Sequence, residues 1–198
     1  MIKFNKFSQE TPYLVFIENY KKAFSLKQAN IEAICISSYS KKFDEVNSRF
    51  VNLKYINDKE FIFFSNYNSP KAEEFLSHKQ VTALFFWNTI NIQIRMKGVI
   101  TKTPKEFNDK YFKQRSDKKN ALAISSEQSK LTKSYEEVKR KYNKALHSEN
   151  LNQCPKYWGG YSFIPNYFEF WEGNDSRINK REVYEIHKGC WKNYLIQP

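Results

Sequence analysis

Arg49 and Lys54 stand five residues apart in SRFVNLK, and both are cations of the kind that hold a bound anion. On an ideal strand, residues an odd number apart point to opposite faces. The pair can therefore serve one ligand only where the strand twists, bulges or ends. Phe64 and Ser65 follow, then Lys71 after Ser69-Pro70, Gln93 in NIQIR, Tyr111 and Arg115 in KYFKQR, Lys119, and the step Gln128-Ser129. Cations, hydroxyls and amides converging in a partly dry cleft make a site for a phosphate-bearing ligand. The tail FEFWEGNDSRINKREVY (Phe168–Tyr184), preceded by WGGY at Trp158–Tyr161, adds Trp171, Arg177, Asn179 and Arg181. Several of these residues also have a plainer reading. Arg49 and Lys54 suit solvated strand ends, Tyr111 and Arg115 a helix face, and Gln93 a backbone partner inside a barrel. Trp158 and Trp171 suit core packing.

The surrounding pattern predicts what positions these side chains. Thr11 as N-cap and Pro12 at the first helical position open a helix of about residues 12–26, with Tyr13, Phe16, Ile17, Tyr20 and Phe24 at helical spacing. From Ile31 the texture becomes strands, Ile31–Ser38 and Phe50–Ile56, with a turn at Asn57-Asp58-Lys59 into Phe61–Ser65. Ser69 caps a short helix with Pro70 first and Glu73 and Glu74 in its acidic first turns. Val81–Trp87 and Ile92–Thr101 are the next strands. A helical insertion spans about residues 105–150, with one helix over Lys105–Arg115 and another opened by the capping box Ser134 and Glu137. Strand texture returns at Gln153–Lys156, followed by Tyr157–Ile164, Tyr167–Trp171, Glu182–His187 and Trp191–Ile196. Hairpin-joined strands with helices only as insertions predict one domain over residues 1–198, an antiparallel β-barrel with peripheral helices.

Composition narrows the function classes. The net charge of +12 admits nucleic acid, but the 33 Lys and Arg are spread along the chain, as on solvated helix faces. Cys35, Cys154 and Cys190 form no CxxC pair, and His78, His147 and His187 are equally scattered, so no metal is expected. No apolar run reaches the roughly 20 residues needed to span a bilayer. With no export signal at the start, the expectation is a cytoplasmic protein with reduced thiols and no membrane partner.

From Ile31 to Pro198 the chain resembles the pyridoxine/pyridoxamine 5′-phosphate oxidase family, FMN enzymes built on a split β-barrel. Arg49…Lys54, then Phe64-Ser65-Asn66, then Ser69-Pro70-Lys71 follow the family's order of an Arg-x-x-x-x-Lys strand, an aromatic-Thr-Asn segment and Ser-Arg-Lys opening a helix. The resemblance implies that Arg49, Lys54, Phe64, Ser65, Lys71, Gln93, Gln128, Ser129, Trp171 and Arg181 form the FMN site. It implies that Lys54, Tyr111, Arg115 and Lys119 grip the substrate phosphate, while Arg177 and Asn179 meet the pyridine ring, with Arg177 as the catalytic residue. The implied activity is oxidation of pyridoxamine or pyridoxine 5′-phosphate to pyridoxal 5′-phosphate by oxygen, in a homodimer with FMN at the subunit interface. The chain departs from the pattern at Pro70 (usually Arg), Lys119 (usually Ser) and Asn179 (usually His). Ala121–Ile124 replaces a glycine-containing segment, and only ten residues precede Thr11. Two alternatives stay open on these residues. One is an FMN oxidoreductase with another substrate, as in the phenazine-pathway relatives; the other is a non-catalytic flavin- or nucleic-acid-binding barrel.

Overall fold

The computed structural model describes residues 1–198. Its strands are β1 (Lys3–Asn5), β2 (Ala33–Ser40), β3 (Glu45–Asn57), β4 (Glu60–Asn66), β5 (Gln80–Trp87), β6 (Ile92–Lys102), β7 (Trp158–Glu172), β8 (Lys180–His187) and β9 (Cys190–Ile196). Antiparallel pairing runs β3-β2-β5-β6-β7, and β4 bonds both β7 and β3, closing a six-stranded barrel. β8 and β9 continue the sheet beyond β7, and β1 runs parallel to the end of β3. The mainly β, antiparallel split-barrel class is as expected. Barrel closure leaves few unpaired edges, which is how a sheet of this size avoids sticking to itself.

Aromatic side chains fill the barrel. Phe61, Phe63, Phe85, Phe163 and Phe168 are fully buried; on β5 buried and more exposed residues alternate, while β4 and β7 are buried on both faces over much of their length. Helix α1 (Thr11–Ser25) packs one face on them, with Phe16 against Phe61 and Trp87 and Tyr13 edge-on to Phe168. Full burial of one such ring is worth roughly 2–3 kcal/mol, so α1 is part of the core.

Several local readings are corrected. The N-cap of α1 is Glu10 rather than Thr11, and its carboxylate is held by Lys59 and Trp191. Ser69 does occupy the N-cap of α2 (Pro70–Ser77), but its hydroxyl donates to the Asn66 carbonyl and accepts from no backbone N–H of the helix. The insertion holds three helices, α3 (Lys105–Lys113), α4 (Asp117–Ser125) and α5 (Tyr135–Ser148), where the pattern predicts two. Gln153–Lys156 is not a strand. Ser134 caps α5 through the Glu137 N–H as predicted, yet the Glu137 carboxylate accepts from the Lys133 N–H, so the reciprocal half of the capping box is missing. Finally, the two predicted strands around Pro165 are one. β7 absorbs Pro165 at a register shift opposite Lys97/Gly98, where a Cβ on Gly98 would lie 2.5 Å from the Ile164 carbonyl oxygen.

Candidate functional site

A cavity of about 560 Å³ opens beside the barrel between β3, β4, the start of α2, and α3 with the chain that follows it. Arg49, Lys54, Lys71, Arg115 and Lys119 all line it, and no carboxylate does. Arg49 and Lys54 both line the cavity, and the strand that carries them has a register shift between Leu53 and Tyr55 in the β3–β4 pairing. Lys54 is the extra, unpaired residue at that bulge, and residues of both faces of β3, from Arg49 to Asn52 and Lys54, line the cavity.

The cations fall into two groups. In the first, Lys71 donates to Ser65 Oγ at 3.2 Å and Ser69 Oγ at 3.3 Å, and Ser65 Oγ in turn donates to Gln128 Oε1 at 3.4 Å. Ser129, next along, also lines the cavity with a left-handed backbone (φ +67°). Burial lowers the Lys71 ammonium to about 8, with Arg49 adding to the shift and Glu74 opposing it. In the second group, Lys54 is lowered by burial and by Lys119 and Arg115, against the pull of Glu32 at 3.8 Å. Arg115 is lowered by burial, its Nη2 donates to the Lys119 carbonyl at 3.0 Å, and its Nη1 is buried with no partner. Tyr111, raised mainly by burial, stands beside it.

Five partly desolvated cations crowded together are costly, and Glu74 beside Arg49 and Glu32 near Lys54 offset only part of that charge. The arrangement is favourable when anions enter, and two separated groups fit two anionic moieties. An apolar wall completes the lining, in which Phe64 stacks on Trp158 at 5.2 Å and 10° and on Tyr111, while the Arg115 guanidinium lies 4.3 Å over Trp158. Trp158 is the lining residue that sequence reasoning assigned to the core. Its position at the head of Trp-Gly-Gly was the available signal. A Cβ on Gly159 would collide with the Tyr67 hydroxyl and with Asn108, and one on Gly160 with Thr103. Gly159→Ala should therefore cost about 1–3 kcal/mol of stability. A lowered Tm in thermal unfolding would register it, and an unchanged Tm would mean that the Tyr67–Asn108 network yields freely.

The other expected residues lie elsewhere. Gln93, Trp171 and Arg181 form one rung across β6, β7 and β8, outside the cavity lining. Arg181 is tied down, donating to Glu169 from Nε at 2.9 Å and Nη2 at 2.7 Å and to the Gln197 carbonyl at 3.0 Å. Glu169 is buried and also holds Arg95 and Tyr167. Arg177 sits on the β7–β8 loop, exposed and in the left-handed region (φ +62°). Asn179 Oδ1 accepts from the Asn174 N–H at 3.0 Å, so part of its hydrogen-bonding capacity goes to shaping that loop. Within one chain the expected site is thus in two pieces, a cavity and an external rung with its loop.

Two family models match the sequence. One, described as pyridoxamine 5′-phosphate oxidase, covers residues 20–147, and the other, described as the pyridoxine 5′-phosphate oxidase C-terminal dimerisation region, covers residues 158–198. Among relatives, the pyridoxine/pyridoxamine 5′-phosphate oxidase 1 of Hydrogenovibrio crunogenus is 33% identical over 178 residues, 89% of this chain and 82% of that protein. The pyridoxine/pyridoxamine 5′-phosphate oxidase of Cytophaga hutchinsonii is 38% identical over 156 residues, 76% of this chain and 72% of its own. Among solved structures, PhzG from Burkholderia lata 383, in complex with tetrahydrophenazine-1-carboxylic acid, superposes with a TM-score of 0.86 at 23% identity, covering 94% of this chain and 92% of its own. A pyridoxamine 5′-phosphate oxidase-related, FMN binding protein from Nostoc punctiforme superposes at 0.78 and 13% identity, covering 96% and 99%. At these identities the two structures speak for the fold.

Proposed function

The chain belongs to the pyridoxamine 5′-phosphate oxidase family, and from that premise we propose that it is an FMN-dependent oxidase of pyridoxamine or pyridoxine 5′-phosphate. The observation that carries this reading is the carboxylate-free cavity whose five cations stand in two groups. Arg49 and Lys71, with the hydroxyls of Ser65 and Ser129 and the Gln128 amide, suit the FMN phosphate beside the start of α2. The lack of charge and N–H at Pro70 leaves the side-chain cations to carry that contact. Lys54, Tyr111, Arg115 and Lys119 suit a second phosphate, that of the substrate, and the orphaned Nη1 of Arg115 gains its missing partner there. The same cluster favours a phosphate-bearing substrate over a phenazine carboxylic acid.

The rung of Gln93, Trp171 and Arg181 and the loop bearing Arg177 and Asn179 belong to the reading only in a homodimer. In it, the tail of one copy covers the cavity of the other. The matched dimerisation region, residues 158–198, contains four of these five residues and supports the arrangement. The two pieces that one chain keeps apart then form one site.

When bound, FMN supplies the acceptor for the hydride from the 4′ carbon of the substrate, and oxygen takes the electrons on to peroxide. For the amine substrate, water completes the balance by releasing ammonia. The protein's part is positioning. Lys54 and Arg115 fix the phosphate end, Arg177 orients the ring, and Phe64, Tyr111 and Trp158 keep water from one wall. Asn179 donates or accepts a hydrogen bond at the ring without titrating near neutral pH. No helix is long and apolar enough to cross a membrane, and all three cysteines are free. The cytoplasm is the proposed location.

The test is direct. Purified protein should be yellow, and pyridoxamine 5′-phosphate added without oxygen should bleach it, the colour returning with air. A yellow protein that no B6 phosphate bleaches would reject the substrate assignment, and a protein that binds no FMN would reject the whole reading.

A further inference from the structure

Glu74 is a carboxylate on α2 with only 5% of its surface exposed, and it is bonded to Arg49, one of the two arginines of the cavity. It accepts from Arg49 Nη2 at 2.8 Å, from Asn47 Nδ2 at 3.2 Å and from the Ser38 hydroxyl. Ser38, also buried, receives Arg49 Nη1 at 2.5 Å, and the same nitrogen donates to the Ile36 carbonyl at 3.3 Å. Of the five N–H groups of Arg49, three are therefore taken by Glu74, Ser38 and Ile36, and two remain for a ligand.

A lone arginine at a cavity wall has a long, mobile side chain that loses conformational freedom on gripping a ligand. One clamped beforehand has already lost it. Lys71 and Glu74 are three residues apart on α2 and so share a helix face. One turn of helix therefore places an ammonium in the cavity and fixes the guanidinium beside it. With Pro70 at the head of that turn, Arg49 is one of only two side-chain cations left at this end.

We propose that Glu74, bridged by Ser38, is a positioning residue for Arg49, presetting two of its N–H groups toward the cofactor phosphate. The inference rests on the FMN reading above. It also makes a prediction opposite to that of simple charge. A carboxylate beside a phosphate site repels the phosphate, so a purely electrostatic Glu74 would weaken FMN binding. A clamp strengthens it.

Flavin affinity, read by fluorescence quenching on the full-length protein stripped of flavin, separates the two. Glu74→Ala should weaken FMN binding about tenfold or more while leaving riboflavin, which lacks the phosphate, unchanged. Glu74→Gln, which keeps the acceptor and loses the charge, should stay within about threefold of the parent protein. In an Arg49→Ala background, Glu74→Ala should add nothing, the signature of action through that arginine. Ser38→Ala should weaken FMN but not riboflavin about threefold or more, and it keeps the test open if Glu74→Ala fails to fold. Tighter FMN binding in both Glu74 variants, or equal losses for FMN and riboflavin, would overturn the inference. Parent protein that binds riboflavin but shows no gain from the phosphate would overturn the placement of the cofactor phosphate as well.

Discussion

Arg177→Ala is expected to lower kcat/KM for pyridoxamine 5′-phosphate by about a hundredfold or more while bound FMN stays in place. Arg177 makes no side-chain hydrogen bond or ion pair of its own; only its backbone N–H is used, donating to the Asn174 carbonyl at 2.9 Å. Its removal should therefore cost the fold little. Yet the loop holds this exposed residue at φ +62°, a conformation that costs a non-glycine residue on the order of 1 kcal/mol. Asn174 and Asn179 brace that geometry, with Asn174 Oδ1 also accepting from the Ser176 N–H at 2.9 Å. A strained, braced, unpartnered arginine suits a group whose partner arrives with the substrate. Arg177→Lys should rescue only in part, because an ammonium lacks the planar fork of guanidinium. Rapid single-turnover reduction would locate the defect in the hydride step. Loss of FMN from Arg177→Ala, with normal turnover once FMN is supplied in excess, would instead assign this arginine to the cofactor.

Lys71→Met should weaken FMN binding about a hundredfold and abolish a pH dependence that the parent protein shows. In the ligand-free protein the Lys71 ammonium sits at about 8, below its ordinary 10.5. A phosphate beside it favours the charged form and raises it again. Binding therefore takes up a proton as pH rises above 8, and affinity falls across that range. The FMN phosphate is already a dianion there, its second ionisation lying near 6, so it does not mask the effect. Calorimetry in two buffers of different ionisation enthalpy at pH 8.5 would read the proton uptake directly, and none in the parent protein would refute the assignment. The same shift sets a stability trend. Between about 8 and 10.5 the unfolded chain binds more protons at Lys71 than the folded one, so this group makes the ligand-free protein more stable as pH rises through that window.

The sequence was legible where chemistry is local. Alternation and turn residues mark six of the nine strands close to their observed bounds, and the Pro12 and Pro70 helix starts hold. It was less legible where one segment answers to another. Helix α4 went unread because a sequence such as Ala121–Ile124 carries no distinctive polar face. Glu74 looked like a first-turn acid favouring the helix dipole, and only the approach of β2 and β3 makes it the buried partner of Arg49. Pro165 looked like a strand boundary because the bulge that admits it is a property of the β6–β7 pairing, not of the proline.

By itself, then, the sequence determined the element types, the barrel class and the set of cations, hydroxyls and aromatics available to a phosphorylated ligand, since backbone propensity and side-chain chemistry are written residue by residue. Tertiary structure decided which of them meet. Barrel closure brings Arg49 and Lys54 of β3 to one cavity with Lys71, Arg115 and Lys119, and strand pairing puts Gln93, Trp171 and Arg181 on a rung away from the cavity they were expected to share. Convergence of side chains depends on register, bulges and closure of the sheet, which are relations between distant segments and are therefore invisible in any one of them.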